Sequence, residues 1–448
     1  MNQKSAIEVE DAEIQDTETH VLALNGGSSS IKFAVYELGE TSERGLYGHL
    51  DRIGLPGTTL TVAGAGQPAA TIPVAAADQR AAVAFLLDWL KENGAFETIR
   101  AVGHRVVHGM AHHAPARITA ALVAELRQFC AFDPDHLPGE LALIEALQQR
   151  HPDLAQFACF DTAFHNAMPR VAQQLPLPRR FEAQGLRRYG FHGLSYAYLL
   201  EELDRLAGAG AARGRVLLAH LGSGASLAAV LHGRSLDTTM GFSPAGGLLM
   251  GTRPGDLDPG VMSYLLHTEK LTAPQLNNLL NHEAGLLGVS ETSSDMQDLL
   301  AAQATDERAA EAVALFCYQA RKGVGAFAAV LGGLDTRVFS GGIGEHAAEV
   351  RARICQGLEF LGIELDAARN AAHAAVISGA NSRVTVRVIP TDEERMIART
   401  VGRLMAPHET PLGPAPLPRR GEPDDVGAGS YPAGLVPPGR LRHRKGSV

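Results

Sequence analysis

Three segments of the chain each join an apolar run to a turn rich in glycine. They span residues 22–32, 216–226 and 338–345. Glycine has no Cβ atom and tolerates positive φ, so the backbone of such a turn can approach a phosphate group and aim its N–H groups at it. One segment alone fits a tight hairpin turn equally well. Three together indicate strands that hold a polyphosphate ligand, such as a nucleotide, from several sides.

The first turn carries the donors that a phosphate site needs. Ser28 and Ser30 offer hydroxyl groups, Lys32 offers a positive charge, and Asn25 offers a carbonyl oxygen of the kind that magnesium accepts. No Gly-Lys-Ser or Gly-Lys-Thr occurs in the chain, which excludes a Walker-type phosphate loop. No Gly-x-Gly-x-x-Gly motif opens a helix after the first strand, which weakens a dinucleotide-binding interpretation.

Length and composition limit the class of protein. A chain of 448 residues exceeds what one core usually supports, so we expect two domains. The net charge of -9 argues against a nucleic-acid-binding protein, and an anionic substrate would need a local positive site. Four widely spaced cysteines indicate neither a disulfide framework nor a zinc site. With no signal-peptide pattern and no apolar run long enough to span a membrane, we expect a cytoplasmic protein.

Strand-like runs alternate with helical patterns along most of the chain, which is typical of an α/β fold. The spacing of apolar residues predicts helices over 81–93, after Thr119 as N-cap, after Ser195 as N-cap, and over about 350–361.

The two ends of the chain have a different composition. Residues 1–18 are acidic and polar, and residues 406–448 are rich in proline and glycine and end in a basic group. Such segments lack the apolar surface that pays for ordering, so both are predicted to be disordered; an interaction tail is the alternative for the second.

Six further motifs follow the first turn, NGGSSSIK, in order. They are GHRVVHG at 103–109, FDTAFH at 160–165, YGFHG at 189–193, MGFSP at 240–244, MGTR at 250–253 and IPTDEE at 389–394. In this order and spacing, the set resembles the acetate kinase family, including its acetate and propionate branch, over about residues 20–405.

The resemblance implies a fold and a domain plan. The family belongs to the actin, Hsp70 and sugar-kinase superfamily, so we expect two similar α/β domains of the actin-like ATPase (ribonuclease H-like) fold with a cleft between them. The acyl-substrate and phosphate domain would comprise 19–160 and 394–405. The nucleotide-binding domain would comprise 161–393.

The resemblance also implies an activity: reversible, in-line transfer of the γ-phosphoryl group of ATP to acetate, giving acetyl phosphate and ADP, with Mg²⁺ or Mn²⁺ as the metal. A carboxylate acceptor is already ionised at neutral pH, so positioning and charge neutralisation must provide most of the catalysis. The alternatives are a propionate or butyrate kinase and a catalytically impaired, nucleotide-binding regulatory protein. A homodimer is expected from the family.

The family motifs assign roles to residues of this chain. The catalytic set is Arg105, Asp161, His192 and Arg253. The acyl-substrate set is Arg105, Val107, His136, Phe191 and Pro244. The metal set is Asn25 and Glu393. The nucleotide set is Ser28, Ser30, Lys32, His220, Leu221, Gly222, Ser223, Gly224, Asp295, Met296, Gln297, Gly342, Ile343, Gly344, Glu345 and His346.

Five positions near the expected site depart from the family pattern. Ser223 and His346 replace asparagines, Gln297 replaces an arginine, and Asp392 replaces the asparagine before the metal-binding glutamate. Asp135 precedes His136 where the family has leucine, and a carboxylate buried beside an apolar pocket would be costly without a partner. Nucleotide preference and acyl-chain preference are the properties that these residues affect.

Overall fold

The computed structural model describes residues 19–27, 30–38, 43–64, 67–130 and 132–406. Two expectations, the disorder of 1–18 and that of the tail after Ala406, lie outside the described residues, as does the proposed role of Ser28. The described residues from Thr19 to Met405 belong to one compact unit.

The first sheet has eight strands in the order β5-β4-β3-β2-β1-β6-β8-β7. Strands β1 to β5 form an antiparallel meander, β1, β6 and β8 run parallel, and β7 is antiparallel to β8. The strands are β1 (His20–Gly26), β2 (Ile31–Glu37), β3 (Arg44–Asp51), β4 (Thr59–Gly64), β5 (Gln67–Pro73), β6 (Ile99–Val106), β7 (Ala116–Arg117) and β8 (Ala155–Phe160).

The second sheet repeats the central part of the first. Its strands are β9 (Val216–Leu221), β10 (Ala225–Leu231), β11 (Arg234–Thr238), β12 (Thr336–Ser340) and β13 (Thr385–Val388), in the order β11-β10-β9-β12-β13. A hairpin lies on one side of β9 and two parallel strands lie on the other, as they do around β1. The two sheets therefore share a common strand arrangement. The boundaries of the two domains in the sequence stay a prediction.

Sixteen helices belong to the described residues. They are α1 (Gln79–Glu92), α2 (Ala120–Gln128), α3 (Leu137–Arg150), α4 (Arg170–Gln173), α5 (Arg179–Glu182), α6 (Gly193–Ala207), α7 (Ala209–Arg213), α8 (Pro259–His267), α9 (Ala273–Asn278), α10 (Gly285–Ser290), α11 (Met296–Ala302), α12 (Glu307–Leu331), α13 (Gly341–His346), α14 (Ala348–Cys355), α15 (Ala367–Ala371) and α16 (Glu393–Met405). Short 3-10 segments cover Ala163–Ala167 and Glu359–Leu361, and a π-helical segment covers Leu279–Glu283. None of these helices is long and apolar enough to cross a membrane.

The apolar residues form layers around the two sheets. Residues of α6 and α16 pack between the sheets, with Leu199 and Ile397 fully buried there. Helices α1 and α3 cover the outer face of the first sheet, and α12 and α14 cover the outer face of the second. Inner strands such as β9 and β12 are thus buried on both faces, which explains their continuous apolar runs.

Two of the four predicted helices form as expected. Helix α1 buries the predicted apolar face, and the Thr119 hydroxyl accepts a hydrogen bond from the Leu122 N–H at the start of α2. The expected cap at Ser195 is wrong, because α6 begins at Gly193 and the Ser195 hydroxyl bonds to His220. The helix predicted over 350–361 ends at Cys355, because Gly357 takes a φ of 79°.

Close contact between α16 and β6 requires a glycine. A Cβ atom on Gly103 would lie 2.3 Å from Ile397 Cγ2 and 2.8 Å from Val401 Cγ2. Because both side chains belong to the buried layer between the sheets, neither has room to move away.

We predict that Gly103→Ala lowers the free energy of unfolding by about 1–3 kcal/mol through overpacking. Gly139→Ala is the matched control, since a Cβ atom there meets nothing within 4 Å and alanine favours a helix. Urea and thermal unfolding midpoints of the two variants measure the effect. Equal midpoints would contradict the proposed packing constraint.

Candidate active site

A cavity of about 620 Å³ lies where the ends of β1, β6, β9 and β12 meet. It is lined by groups from both sheets and from the segment before α16: Asn25, Gly27, Ser30, Lys32, Arg105, Val107, His136, Phe191, His192, His220, Gly222, Ser223, Gly224, Pro244, Arg253, Gly341, Gly342, Glu345, Thr391, Glu393 and Glu394. The structure thus brings together the first, second and third glycine turns that the sequence predicts to face one ligand.

A buried ion pair fixes Arg105 at the end of β6. Its Nε and Nη2 atoms donate to Asp161 Oδ2 at 3.0 and 2.7 Å, and its Nη1 donates to Asn25 Oδ1 at 3.3 Å. Burial alone would lower the pKa of Arg105, but the carboxylates of Asp161 and Glu393 outweigh burial and raise it. Asp161 is fully buried behind Arg105 and does not line the cavity, so it acts on the site by holding the guanidinium in place.

Arg253 reaches the same cavity without an acidic partner. Its Nη1 donates to the Pro244 carbonyl oxygen at 2.7 Å, and no carboxylate of the described residues lies within 4 Å of its guanidinium. Burial and then the positive charge of Arg105 lower the pKa of Arg253. Two guanidinium groups therefore repel each other across the cavity, and an anion bound between them would relieve this repulsion.

Two neighbouring carboxylates lie on the other side of Asn25. Its Nδ2 donates to Glu393 Oε2 at 2.9 Å and to Glu394 Oε1 at 3.1 Å. Burial opposes ionisation of Glu393, but Arg105, His220 and Lys32 outweigh it and lower its pKa. Burial and the charge of Glu393 raise the pKa of Glu394.

This donor set fits a hard divalent cation. No group of three His, Cys, Asp or Glu residues that could hold a metal occurs in the described ranges. Magnesium does not require one, because it keeps several waters and takes one or two carboxylates. The Asn25 amide oxygen accepts from Arg105 and its Nδ2 donates to Glu393, so Asn25 positions Glu393, and the Glu393 carboxylate is a group that could hold such a cation.

The expected acyl pocket is apolar on three sides. Val107, Phe191 and Pro244 line the cavity together with His136, whose Nδ1 lies 2.8 Å from Asp133 Oδ1. His136 is half-buried and faces the cavity, so it is not a core histidine.

Two of the departures from the family pattern have a local explanation. The loop turns Asp135 out of the cavity, and its Oδ1 lies 3.9 Å from His282 Nε2. Asp392 accepts from the Arg395 N–H in the first turn of α16 and from the Tyr36 hydroxyl, both at 2.9 Å. Neither carboxylate lies against the apolar wall of the pocket.

A second cavity of about 620 Å³ adjoins the first and shares Gly222, Ser223 and Gly342 with it. Besides these three, its wall contains five more of the predicted nucleotide-site residues: Asp295, Met296, Gln297, Ile343 and His346. Asp295 also caps α11 by accepting from the Gln297 N–H at 2.8 Å. The His346 side chain is 81% exposed, so it lies at the rim.

Some predicted residues lie outside both cavities. The Leu221 side chain is fully buried in the core of the second sheet. Gly344 lines neither cavity, and its carbonyl oxygen accepts from Arg351 Nη1 at 2.9 Å.

Gly224 lines the first cavity, and its position is tightly constrained, since a Cβ atom there would lie 3.0 Å from Arg253 Nη2 and 3.1 Å from His192 Nε2.

Sequence reasoning missed Glu394 and Thr391, although both belong to the IPTDEE motif. Glu394 faces the cavity beside Glu393. Glu345 Oε1 accepts from the Gly341 N–H at 2.8 Å and the Thr391 N–H at 3.1 Å, so it ties the third glycine turn to this motif. The sequence signal that could have identified both residues is the IPTDEE motif, in which Glu393 was the one acidic residue expected to have a role. Leu300 and Ala347, on the wall of the second cavity, had no such signal.

Comparisons with known proteins agree with this geometry. The chain matches the model of the Acetokinase family over residues 20–399. It is 46% identical over 399 residues to an acetate kinase of Rhodopseudomonas palustris (strain TIE-1), covering 86% of this chain and 98% of that protein. The crystal structure of Porphyromonas gingivalis acetate kinase aligns with a TM-score of 0.78 at 37% identity, covering 86% of this chain and 100% of that one.

A propionate kinase from Francisella tularensis subsp. tularensis SCHU S4 aligns with a TM-score of 0.81 at 34% identity, covering 85% of this chain and 98% of that one. The chain belongs to the Acetokinase family and is a kinase of that family. The predicted actin-like ATPase fold is confirmed.

A buried carboxyl group stands behind the acyl pocket. The two oxygens of Glu140, in the first turn of α3, accept from the Val107 N–H at 3.2 and 3.0 Å. Burial raises the pKa of Glu140 to about 8, against the opposing effect of Arg105. The folded state thus keeps this proton at neutral pH, whereas the unfolded chain releases it above about pH 4.3.

Because the pKa is raised in the folded state, the stability that Glu140 contributes is complete at low pH and is lost as pH rises towards 8. We predict that Glu140→Gln makes the decrease in the free energy of unfolding with rising pH less steep, by up to about 1.4 kcal/mol per pH unit. Urea unfolding at several pH values measures it, with Glu145→Gln on the same helix as control. Parallel slopes for Glu140→Gln and the unaltered protein would contradict the assignment.

Proposed function

We propose that the protein transfers the γ-phosphoryl group of ATP to acetate, reversibly, to give acetyl phosphate and ADP. The observation that carries this proposal is the pair of guanidinium groups, Arg105 and Arg253, in one cavity, with Arg253 lacking a carboxylate partner among the described residues. The reaction brings an anionic carboxylate against an anionic phosphate, so it needs this concentration of positive charge.

The side chains that face the substrates have separate tasks in the proposed reaction. Arg105 binds the acetate carboxylate, with Val107, Phe191 and Pro244 enclosing the methyl group. Arg253 and His192, which meet at Gly224, bind the oxygens of the phosphoryl group as it passes between carboxylate and ADP. Asp161 holds Arg105, and because the acceptor is already ionised, no general base is required.

The nucleotide would extend from the first cavity into the second. The turns at Lys32, Gly222 and Gly342 lie where the phosphates would pass, and Met296 and Ile343 offer an apolar surface for the base. Mg²⁺, or Mn²⁺ in its place, would be held by Glu393 with Glu394 and Asn25 beside it, and would neutralise charge on the phosphates.

Propionate is the second candidate acceptor. Asp135 is not among the residues that line the cavity, so one more methylene group would lie against Val107, Phe191 and Pro244 rather than against its carboxylate. Comparing kcat/KM for acetate, propionate and butyrate separates the candidates, because a methylene group changes the ratio by about 10–200-fold in an apolar pocket.

The proposed activity is tested by trapping acyl phosphate with hydroxylamine, with and without EDTA. We predict product from acetate, ATP and magnesium, and a kcat lower by about 10²–10³-fold in Arg253→Ala. The melting temperature is measured beside kcat, because Arg253→Ala removes the hydrogen bond to Pro244 together with a charge that burial and then Arg105 disfavour. Arg403→Ala removes an exposed ion pair with Glu201 and serves as the matched control.

No acyl phosphate from folded protein that binds ATP would overturn the proposal and favour a regulatory role. A kcat of Arg253→Ala within about 10-fold of the unaltered protein would contradict the role of this residue.

A homodimer is part of the same proposal, with α8 as its contact surface. No residue of α8 is buried, and Val261 and Tyr264, three positions apart on one face of the helix, are 41% and 54% exposed. An apolar helix face of this kind is typical of a surface covered by another chain.

We predict that Val261→Glu combined with Tyr264→Glu shifts the protein from dimer to monomer, because two carboxylates would be buried without partners. Light scattering after size exclusion measures the mass against 47.4 kDa for one chain. Tyr318→Glu on α12 is the control for an exposed tyrosine elsewhere. A double variant that stays dimeric would exclude α8 as the interface.

A cytoplasmic location also remains a proposal. All four cysteines are free, and Cys159, Cys317 and Cys355 are buried. Free thiols suit a reducing compartment.

A further inference from the structure

Two stacked histidines line the first cavity. The rings of His192 and His220 lie 4.2 Å apart at an angle of 29°. Burial lowers the pKa of both, and for His192 the neighbouring charges of His220, Arg105 and Arg253 add to the effect. Both rings are therefore neutral, and each carries a single proton on one of its two nitrogens.

The backbone fixes where the His192 ring lies. His192 takes the left-handed conformation, with φ 60° and ψ 25°, immediately before α6. A Cβ atom on the next residue, Gly193, would lie 1.9 Å from the Asp161 carbonyl oxygen, so the chain packs directly on the end of β8. The His192 Nε2 atom then points towards Gly224 and Arg253. The backbone does not determine which nitrogen of the His192 ring carries the proton.

A chain of two hydroxyl groups ends at the other ring nitrogen. His192 Nδ1 lies 2.9 Å from Ser226 Oγ, and Ser226 Oγ is also hydrogen-bonded to the Tyr196 hydroxyl. Among the described residues, Ser226 Oγ is the one hydrogen-bond partner of the Tyr196 hydroxyl, and because Tyr196 is fully buried, its hydroxyl proton needs that acceptor. Tyr196 consequently donates to Ser226, and the Ser226 proton is directed to His192 Nδ1.

The same arrangement occurs at a histidine outside the cavity, where the direction is unambiguous. His165 Nε2 lies 3.0 Å from the Phe191 carbonyl oxygen, which can only accept, so Nε2 carries the proton. His165 Nδ1, which lies 2.9 Å from Ser235 Oγ, must then accept from the serine hydroxyl. At His165 a serine hydroxyl thus donates to Nδ1 of an Nε2–H ring, which is the same direction that the Tyr196–Ser226 chain gives at His192.

We propose that Ser226, oriented by Tyr196, is a positioning residue that keeps His192 in its Nε2–H form, so that the ring donates a hydrogen bond into the cavity. This inference rests on the proposed phosphoryl transfer. In the Nδ1–H form, a nitrogen lone pair would face the phosphoryl oxygens and repel them, so the hydroxyl relay decides whether His192 stabilises or opposes the transferring group.

The test compares Ser226→Ala and Tyr196→Phe with Ser235→Ala, which deletes an equivalent buried serine–histidine hydrogen bond away from the cavity. Ring ¹⁵N shifts of isotopically labelled histidines report the tautomer, and the spectrum of His192→Gln identifies the His192 signals. Steady-state kinetics with acetate and ATP provide kcat and KM separately.

The expected result is an Nε2–H pattern for His192 in the unaltered protein and a mixture of both forms in Ser226→Ala. The kcat of Ser226→Ala should fall by about 10–100-fold, with KM for ATP within about 3-fold, because the lost interaction belongs to the transition state. Tyr196→Phe should give the same change to a smaller extent, and Ser235→Ala should leave kcat within about 3-fold.

Two results would overturn the proposal: an Nδ1–H pattern for His192 in the unaltered protein, or a lower kcat in Ser226→Ala with the His192 tautomer unchanged. If Ser226→Ala does not fold, Tyr196→Phe provides the same two readouts. Because the ¹⁵N shifts do not depend on turnover, an inactive unaltered protein would refute the proposed function while the tautomer remained measurable.

Discussion

The ion pair between Arg105 and Asp161 is the interaction around which the site is built. It joins the ends of two parallel strands, β6 and β8, and Asn25 extends the network to β1. A buried carboxylate without its cation would cost several kcal/mol, so neither partner can be removed without exposing the other to an apolar interior. Because Asn25 also holds Glu393, the position of the carboxylates depends on the same pair.

Charge in the cavity is arranged in two opposing groups. The positive charges of Arg105 and Arg253 lie near each other and repel. The negative charges of Glu393 and Glu394 lie near each other on the other side of Asn25 and also repel. Each group is unfavourable by itself in a partly dehydrated cavity. An anionic substrate would reduce the repulsion within the first group, and a divalent cation would reduce it within the second. Relief of this repulsion would add to the affinity for each ligand.

Motifs in the sequence predicted the fold and most of the cavity wall, whereas contacts between distant segments could not be predicted. Thr119 capped its helix because that interaction is local, but the Ser195 hydroxyl was drawn to His220 by the approach of β9. The bond between Asn25 and Glu393 joins residues 368 positions apart, and only the packing of α16 on the first sheet reveals it. Likewise, Asp135 Oδ1 lies 3.9 Å from His282 Nε2, a proximity of distant segments that no local pattern around Asp135 specifies.

The place of α16 also has a consequence for biosynthesis. This helix is the last secondary-structure element of the described residues, yet its first residue, Glu393, completes a site whose other parts begin with Asn25 in the first strand. During translation the earlier elements can fold as the chain emerges, because both sheets are already present by Val388. A nascent chain that has not yet delivered α16 lacks these carboxylates and the helix that packs between the two sheets, so we expect it to be inactive until α16 has been synthesised.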